Sequence, residues 1–277
     1  MPTSHEEKVI EGFGDEWSRW TYIDFDREEL LKIWHAYFHI VPSEIINPDA
    51  NCFDMGSGTG RWATCIAPLV KSLVCLEPSK KAFDVSKINC HKFENTAVLQ
   101  ESVFENSLPD NYFDFGYSLG VLHHISDTQR GIEACARKLK PGGYFLIYLY
   151  YNMDNRPYWF KFIWKITDTL RRGISKLPAG SKHLICDIIA FLIYWPVSRL
   201  SGLLSRFMNL RNAPLVDYAN KPLYVLRTDS LDRFGTSLEQ RFSLNEIRGM
   251  LEKAGLEPVK HSPNAPYWVV LSRKISP

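Results

Sequence analysis

The sequence predicts an α/β fold around a mostly parallel sheet, and three observations predict it. Between residues 50 and 150, apolar runs of strand length alternate with helix-length segments. This is the pattern of βα units whose crossover helices cover both faces of a sheet. A glycine-rich bend, Asp54-Met-Gly56-Ser57-Gly58-Thr-Gly60, joins the first apolar run to an apparent helix. Polar residues (Asp54, Glu77, Ser102, Ser118) close successive strands, where ligands of such sheets bind.

The elements follow in order. Gly12-Phe-Gly14-Asp-Glu-Trp17 reads as an aromatic loop, either an anchor for the N-terminal segment or a cover over a pocket. Leu30, Leu31, Ile33, Trp34, Tyr37 and Phe38 recur at helical spacing and predict a helix over 28–40, ended by Pro42. Strands are predicted over 52–55, 73–76, 96–100, 113–118 and 144–150. Helices are predicted over 62–70, 80–90 and 127–138, the last capped by Asp127. Near the end, Ser243 and Glu246 form a capping box and Gly255 is a fitting helix stop. Strands over 256–261 and 267–272 follow, with Pro263-Asn264 between them.

The bend discriminates between ligands. A dinucleotide fingerprint needs Gly-x-Gly-x-x-Gly, and a phosphate loop needs Lys-Ser/Thr after its last glycine. Here the third glycine comes one residue early, and Arg61-Trp62 follow. Glu77 ends the second strand and is placed to accept from two ribose hydroxyls. Together these point to a nucleoside without a pyrophosphate.

On these residues the chain resembles the class I S-adenosylmethionine-dependent methyltransferases. Asp54-Met-Gly56-Ser-Gly58-Thr-Gly60 is similar to the family's first motif, and Glu77-Pro78-Ser79 to its ribose-binding acid and the residues after it. Phe113-Asp-Phe115 with Ser118-Leu-Gly-Val-Leu-His123-His124-Ile resembles the fourth-strand motif of the ubiquinone-type subgroup. Arg137-Lys-Leu-Lys-Pro141-Gly142-Gly143 resembles the turn into strand five. The resemblance implies a Rossmann-like, seven-stranded sheet closed by a C-terminal hairpin, with an α-helical cap inserted after strand five. It implies S-adenosyl-L-methionine as cofactor and S-adenosyl-L-homocysteine as product. Asp54, Gly56, Ser57, Gly58 and Gly60 would hold the methionine end, with loop N–H groups facing its carboxylate. Glu77 would take the ribose and Pro78 an adenine face. The Ser102 side chain and Val103 N–H would take the adenine edge, where many relatives carry Asp instead of Ser102. Ser118 and Leu119 would reach the amine through their backbone.

Composition bounds the remaining classes. The 277 residues carry a net charge of +2, with 45% hydrophobic and 23% charged residues. That is an ordinary globular balance without the basic excess of a nucleic-acid partner. The six cysteines form no Cys-x-x-Cys pair and read as small buried hydrophobes in a reducing compartment, with no metal site. The first eight residues hold no apolar stretch, so the expectation is a cytoplasmic protein.

The organisation expected is an N-terminal cover (1–48), a cofactor-binding core (49–150), a substrate cap (151–240) and a tail completing the sheet (241–277). Within the cap, the 14-residue apolar run 184–197 reads as too short to span a membrane. It is either a buried helix or one resting on a membrane surface beside Arg199, Arg206 and Arg211. The aromatic character of 158–166 motivates a small-molecule or lipid-like acceptor, methylated at oxygen or carbon. His123 and His124 are the base candidates, or else structural residues. His261 and the Asp229, Asp232, Arg233 group are weaker candidates, and 232–241 reads as a loop returning over the site. The Asn/Asp-Pro-Pro-Tyr/Phe signature of amino-methylating DNA enzymes is absent. The alternatives are a catalytically inactive cofactor-binding partner subunit and a nicotinamide-dependent oxidoreductase.

Overall fold

The computed structural model describes residues 4–208, 213–236 and 238–275. The chain forms two compact units: Met1–Asn152 with Leu238–Pro277, and Met153–Ser237.

The first unit holds helices α1 (Ser4–Arg19) and α2 (Arg27–Phe38), then β1 (Asn51–Met55), α3 (Ala63–Ile66), β2 (Ser72–Leu76), α4 (Lys80–Cys90), β3 (Thr96–Leu99), β4 (Phe113–Leu119), α5 (Thr128–Lys138) and β5 (Leu139–Tyr148). The strands form one seven-stranded sheet in the order β3-β2-β1-β4-β5-β7-β6, where β6 is Leu256–His261 and β7 is Val269–Lys274. β1 to β5 pair in parallel, while β7 runs antiparallel to β5 and β6 antiparallel to β7. Strand order reverses between β1 and β4, so a crevice opens beyond their carboxyl ends.

Packing explains the central strands. Every residue of β1 is buried, as expected for a strand covered on both faces. On one face Phe53 meets Phe113 edge-on at 5.2 Å and lies 6.2 Å from Phe145. A Cβ on Gly116 would stand 2.1 Å from the Phe53 ring, so only glycine fits that neighbouring position. Asp127 caps α5 by accepting the Arg130 N–H. Ser243 and Glu246 close the capping box of the helix before β6 (Leu244–Lys253).

Several expectations change. The predicted 62–70 helix is α3 followed by a 3-10 turn, Ala67–Leu69. Pro68 has no N–H to return to the Thr64 carbonyl, and Arg27 Nη2 takes that carbonyl instead at 3.2 Å. The expected aromatic loop 12–17 lies inside α1. Its Gly14 faces α4, where a Cβ would meet Ser79 Oγ at 2.3 Å, and Asp15 pairs with Lys81. β5 starts at Leu139, five residues early, with an irregular register opposite Phe113 and Phe115. β7 starts after Trp268, whose left-handed backbone makes the bend.

The second unit is helical: α6 (Tyr158–Ile174), α7 (Ala179–Ile189), α8 (Trp195–Leu204) and α9 (Leu223–Gly235), with α10 being the Leu244–Lys253 helix of the first unit. A π turn, Ala190–Tyr194, joins α7 to α8, so the helix runs on through Ala179–Leu204. The 184–197 run therefore belongs to a 26-residue helix long and apolar enough, by length and composition alone, to cross a membrane. Pro196 follows directly on the π turn, where the α-helical hydrogen-bond ladder is already interrupted, and the helix runs on past it. α9 packs against α6 and α7. Asp229, Asp232 and Arg233 lie on α9, the last two where a loop was expected. Asp229 pairs with Lys221 at 3.7 Å, and Arg233 lies 3.8 Å from Asp168. This is an ion-pair network of the helical unit.

Candidate functional site

The glycine bend crosses the carboxyl ends of β1 and β2. Gly56, Gly58 and Gly60 all adopt left-handed backbone, with φ of 86°, 55° and 74°, a region that penalises side chains. Gly56 and Ser57 both donate to the Leu76 carbonyl at 2.9 Å, which staples the bend to the end of β2. Asn89 of α4 braces the other side by donating to the Thr21 and Thr59 carbonyls.

Glu77 sits at the junction. Its Oε2 accepts from Gly58 N–H and its Oε1 from Ser79 N–H, each at 2.9 Å. A carboxylate offers about four acceptor positions, so two remain for hydroxyl donors. Burial pushes the Glu77 carboxyl up to about 7, against the pull of those two N–H groups.

The loop N–H groups correct one expectation. They do not face outward as a set: Gly56 and Ser57 bond Leu76, Gly58 bonds Glu77, and Gly60 bonds the Ser57 carbonyl at 2.8 Å. The cationic group beside the bend is Arg61. Its guanidinium lies over Trp17, Tyr22 and Trp62 at 4.9, 4.9 and 4.5 Å, and it donates to the Tyr22 hydroxyl. Trp17 of α1 also covers the bend, its indole 3.3 Å from where a Gly58 Cβ would stand. Nothing in the local sequence linked these aromatic residues to Arg61.

Asp54 is buried in β1, opposite Cys75 and Tyr117. Burial drives its carboxyl well above the usual range, and the nearby Tyr117 hydroxyl eases this without reaching hydrogen-bond geometry. Asp54 Oδ2 and Thr59 Oγ1 are buried without hydrogen-bond partners among the described residues. Orphaned buried acceptors of this kind suit an ammonium or water. The other predicted contacts have definite places. Pro78 is half-buried after Glu77. Ser102 Oγ accepts from Glu105 N–H at 3.1 Å and keeps its own proton to donate, and Val103 is buried beside it. Ser118 Oγ donates to the Met55 carbonyl at 2.8 Å, tying β4 to β1, and Leu119 ends β4.

A second polar cluster lies beyond β4 and β5. His123 and His124 occupy a 3-10 turn after β4, and both are buried. His124 Nδ1 lies 2.6 Å from the Leu238 carbonyl. A carbonyl only accepts, so Nδ1 carries a proton in this contact. Phe13 of α1 meets the His124 ring edge-on at 4.8 Å. The His123 ring lies 3.8 Å from Tyr150 and 4.0 Å from His124. Burial, then His124 and Arg241, holds the His123 imidazole well below its ordinary value, so it is neutral. Arg241 lies 5.0 Å over the Tyr150 ring and pairs at 2.6 Å with Glu239, whose side chain is buried. Of the expected 232–241 loop, Leu238 and Arg241 lie beside the histidines, and 232–235 is helix. His261 stays apart on the edge strand β6, 3.2 Å from Arg248.

Comparison with known proteins finds related sequences and folds. Residues 53–147 match the family model described as "Methyltransferase domain". Over 100 residues, 35% of this chain and 40% of the relative, it is 28% identical to an uncharacterized methyltransferase, YcgJ, of Bacillus subtilis. It is 31% identical over 109 residues to a ubiquinone biosynthesis O-methyltransferase of Alkalilimnicola ehrlichii, covering 39% of this chain and 44% of that protein. It is 28% identical over 149 residues to the sterol 4-C-methyltransferase strm-1 of Caenorhabditis elegans, covering 48% and 41%. The matches thus span less than half the length of these curated relatives. A SAM-dependent methyltransferase from Aquifex aeolicus shares the fold at a TM-score of 0.50 and 14% identity, over 91% of this chain and 100% of that one. Residues 53–147 are thus similar to methyltransferase domains, and the chain shares the fold of the Aquifex aeolicus enzyme.

Proposed function

We propose that this protein transfers the methyl group of S-adenosylmethionine to a small-molecule or lipid-like acceptor, at oxygen or carbon. The carrying observation is the Glu77 carboxylate, clasped between Gly58 and Ser79 N–H groups at the mouth of a left-handed triple-glycine bend. That arrangement suits a ribose beside an amino-acid tail and leaves no pyrophosphate cradle. When bound, the cofactor supplies an electrophilic sulfonium methyl.

The chain's own residues have these roles in the proposal. Glu77 accepts the ribose hydroxyls, Asp54 faces the ammonium, and Gly56, Ser57, Gly58 and Gly60 keep the floor clear of side chains. Arg61 supplies the positive charge for the carboxylate that the loop N–H groups do not. Pro78, Ser102 and Val103 border the adenine, and Ser118 and Leu119 offer backbone to the amine. His124 takes the acceptor's proton at Nε2, since its Nδ1 proton is committed to Leu238. Neutral His123 and Tyr150 wall the same cluster. The likeness to ubiquinone biosynthesis O-methyltransferases supports oxygen as the methylated atom, and the likeness to the sterol 4-C-methyltransferase supports carbon.

The test is a melting experiment followed by turnover. S-adenosylhomocysteine is expected to raise the melting temperature and NADH to leave it unchanged. Labelled methyl is then expected to pass to phenolic or lipid acceptors. A rise with NADH alone overturns the reading. Binding without turnover on any acceptor supports the inactive partner subunit instead.

A further inference from the structure

The helical unit buries Val225, Leu226, Leu231 and Phe234 of α9, yet two of its other helices turn large apolar residues outward. On α6, Tyr158, Phe162, Ile166 and Leu170 recur every fourth residue and are exposed, Tyr158 at 91% and Phe162 at 66%. The buried residues of that helix are instead Asp168 and Arg171, paired at 2.7 Å. The 179–204 helix repeats the pattern. Leu184, Ile188, Leu192, Trp195 and Leu203 are exposed, Leu192 at 72%, while Cys186, Ala190, Ser198 and Ser201 are buried. Phe207, just beyond, is 81% exposed. Large apolar side chains outside with small and paired polar ones inside is the arrangement of helices that face lipid. Contiguous exposed apolar faces on soluble chains mark interaction sites.

Charge identifies the partner. Residues 153–237 hold 13 Lys and Arg against six Asp and no Glu, a formal +7; with the whole chain at +2, the remainder carries −5. Four of those acids are spent on neighbours: Asp168 on Arg171, Asp187 on Arg227, Asp217 on Arg156 and Asp229 on Lys221. Lys165, Lys176 and Arg206 are exposed. Exposed apolar stripes on a unit of net positive charge with exposed Lys and Arg fit an anionic bilayer surface. A second copy meeting it face to face would bring like charge together. Full insertion is opposed by Lys161 and Lys165 within α6 and by Lys182, Asp187 and Arg199 within 179–204.

We infer that the outward faces of α6 and of the 179–204 helix dock the protein peripherally on anionic lipid bilayers. This stands apart from the methyltransfer reading, because it uses none of that site's residues and no cofactor.

Vesicle flotation of the full chain tests it, with phosphatidylcholine vesicles with and without phosphatidylglycerol. The protein is expected to float with the anionic vesicles and to be partly released by high salt. Two double variants are compared, Phe162→Glu with Leu192→Glu, and Lys165→Glu with Arg206→Glu. Each is expected to lose binding by about tenfold or more, while circular dichroism and melting temperature stay as in the parent. Four outcomes overturn the inference: a wholly soluble parent, equal binding to both vesicle types, flotation of the Phe162→Glu, Leu192→Glu variant, or protection of the 179–204 helix from protease across the bilayer. A dimer dissolved by the apolar variant, with no flotation, assigns the face to a second copy and overturns it as well.

Discussion

Raising the pH from 6 to 8 will tighten the binding of 5′-methylthioadenosine about tenfold. This nucleoside keeps the ribose and adenine but lacks the amino acid, so it does not titrate over that range itself. Glu77 does, because burial lifts its carboxyl to about 7. Two of the carboxylate's acceptor positions are taken by Gly58 and Ser79. Ribose hydroxyls need the other two, and the charged form accepts more strongly. The ionised fraction of such a group rises from about a tenth at pH 6 to about nine tenths at pH 8, worth about 1.4 kcal/mol of binding. Calorimetry in two buffers of different ionisation heat counts the protons released: close to one per ligand at pH 6, close to none at pH 8. The linkage to folding has the opposite sense. The folded value lies above the unfolded value of about 4.5, so the native state binds the extra proton. Stability contributed at low pH is lost as pH rises through about 7, by about 3 kcal/mol. Flat affinity with no proton release would refute the reasoning, as would a pH slope that survives Glu77→Gln.

Other outcomes follow from the same contacts. Gly58→Val forces a branched side chain into left-handed backbone, where its Cβ stands 3.3 Å from Trp17; calorimetry is expected to find no binding of S-adenosylhomocysteine. Gly116→Ala puts a methyl 2.1 Å from the Phe53 ring and should cost about 1–3 kcal/mol in urea unfolding. His124→Gln keeps a donor for the Leu238 carbonyl but cannot take a proton; kcat on a hydroxyl acceptor should fall by about 10²–10⁴ with cofactor affinity unchanged. Ser243→Ala removes a cap that accepts from Glu246 N–H and should lower stability by about 0.5–2 kcal/mol.

The periodicity of the chain, its glycines and its strand-end polar residues were enough to determine the parallel core, the capped helices α5 and α10, and Glu77 and Asp54 at the tips of neighbouring strands. These are local signals: each rests on backbone angles or on residues a few positions apart, which the chain order preserves. What only the tertiary structure decided depends on groups far apart in sequence. Pro68 shortens α3 because Arg27 is there to take the Thr64 carbonyl. The loop N–H groups turn inward because Leu76 and Glu77 accept them, and Arg61 joins the site because Trp17 and Tyr22 enclose it. His124 acquires a committed proton on Nδ1 only when Leu238, 114 positions later, arrives beside it. The outward side of the helical unit was equally hidden. An apolar stripe has the same period whether it faces a core or a solvent, and only the burial of Asp168 and Arg171 on the opposite side shows which way it turned.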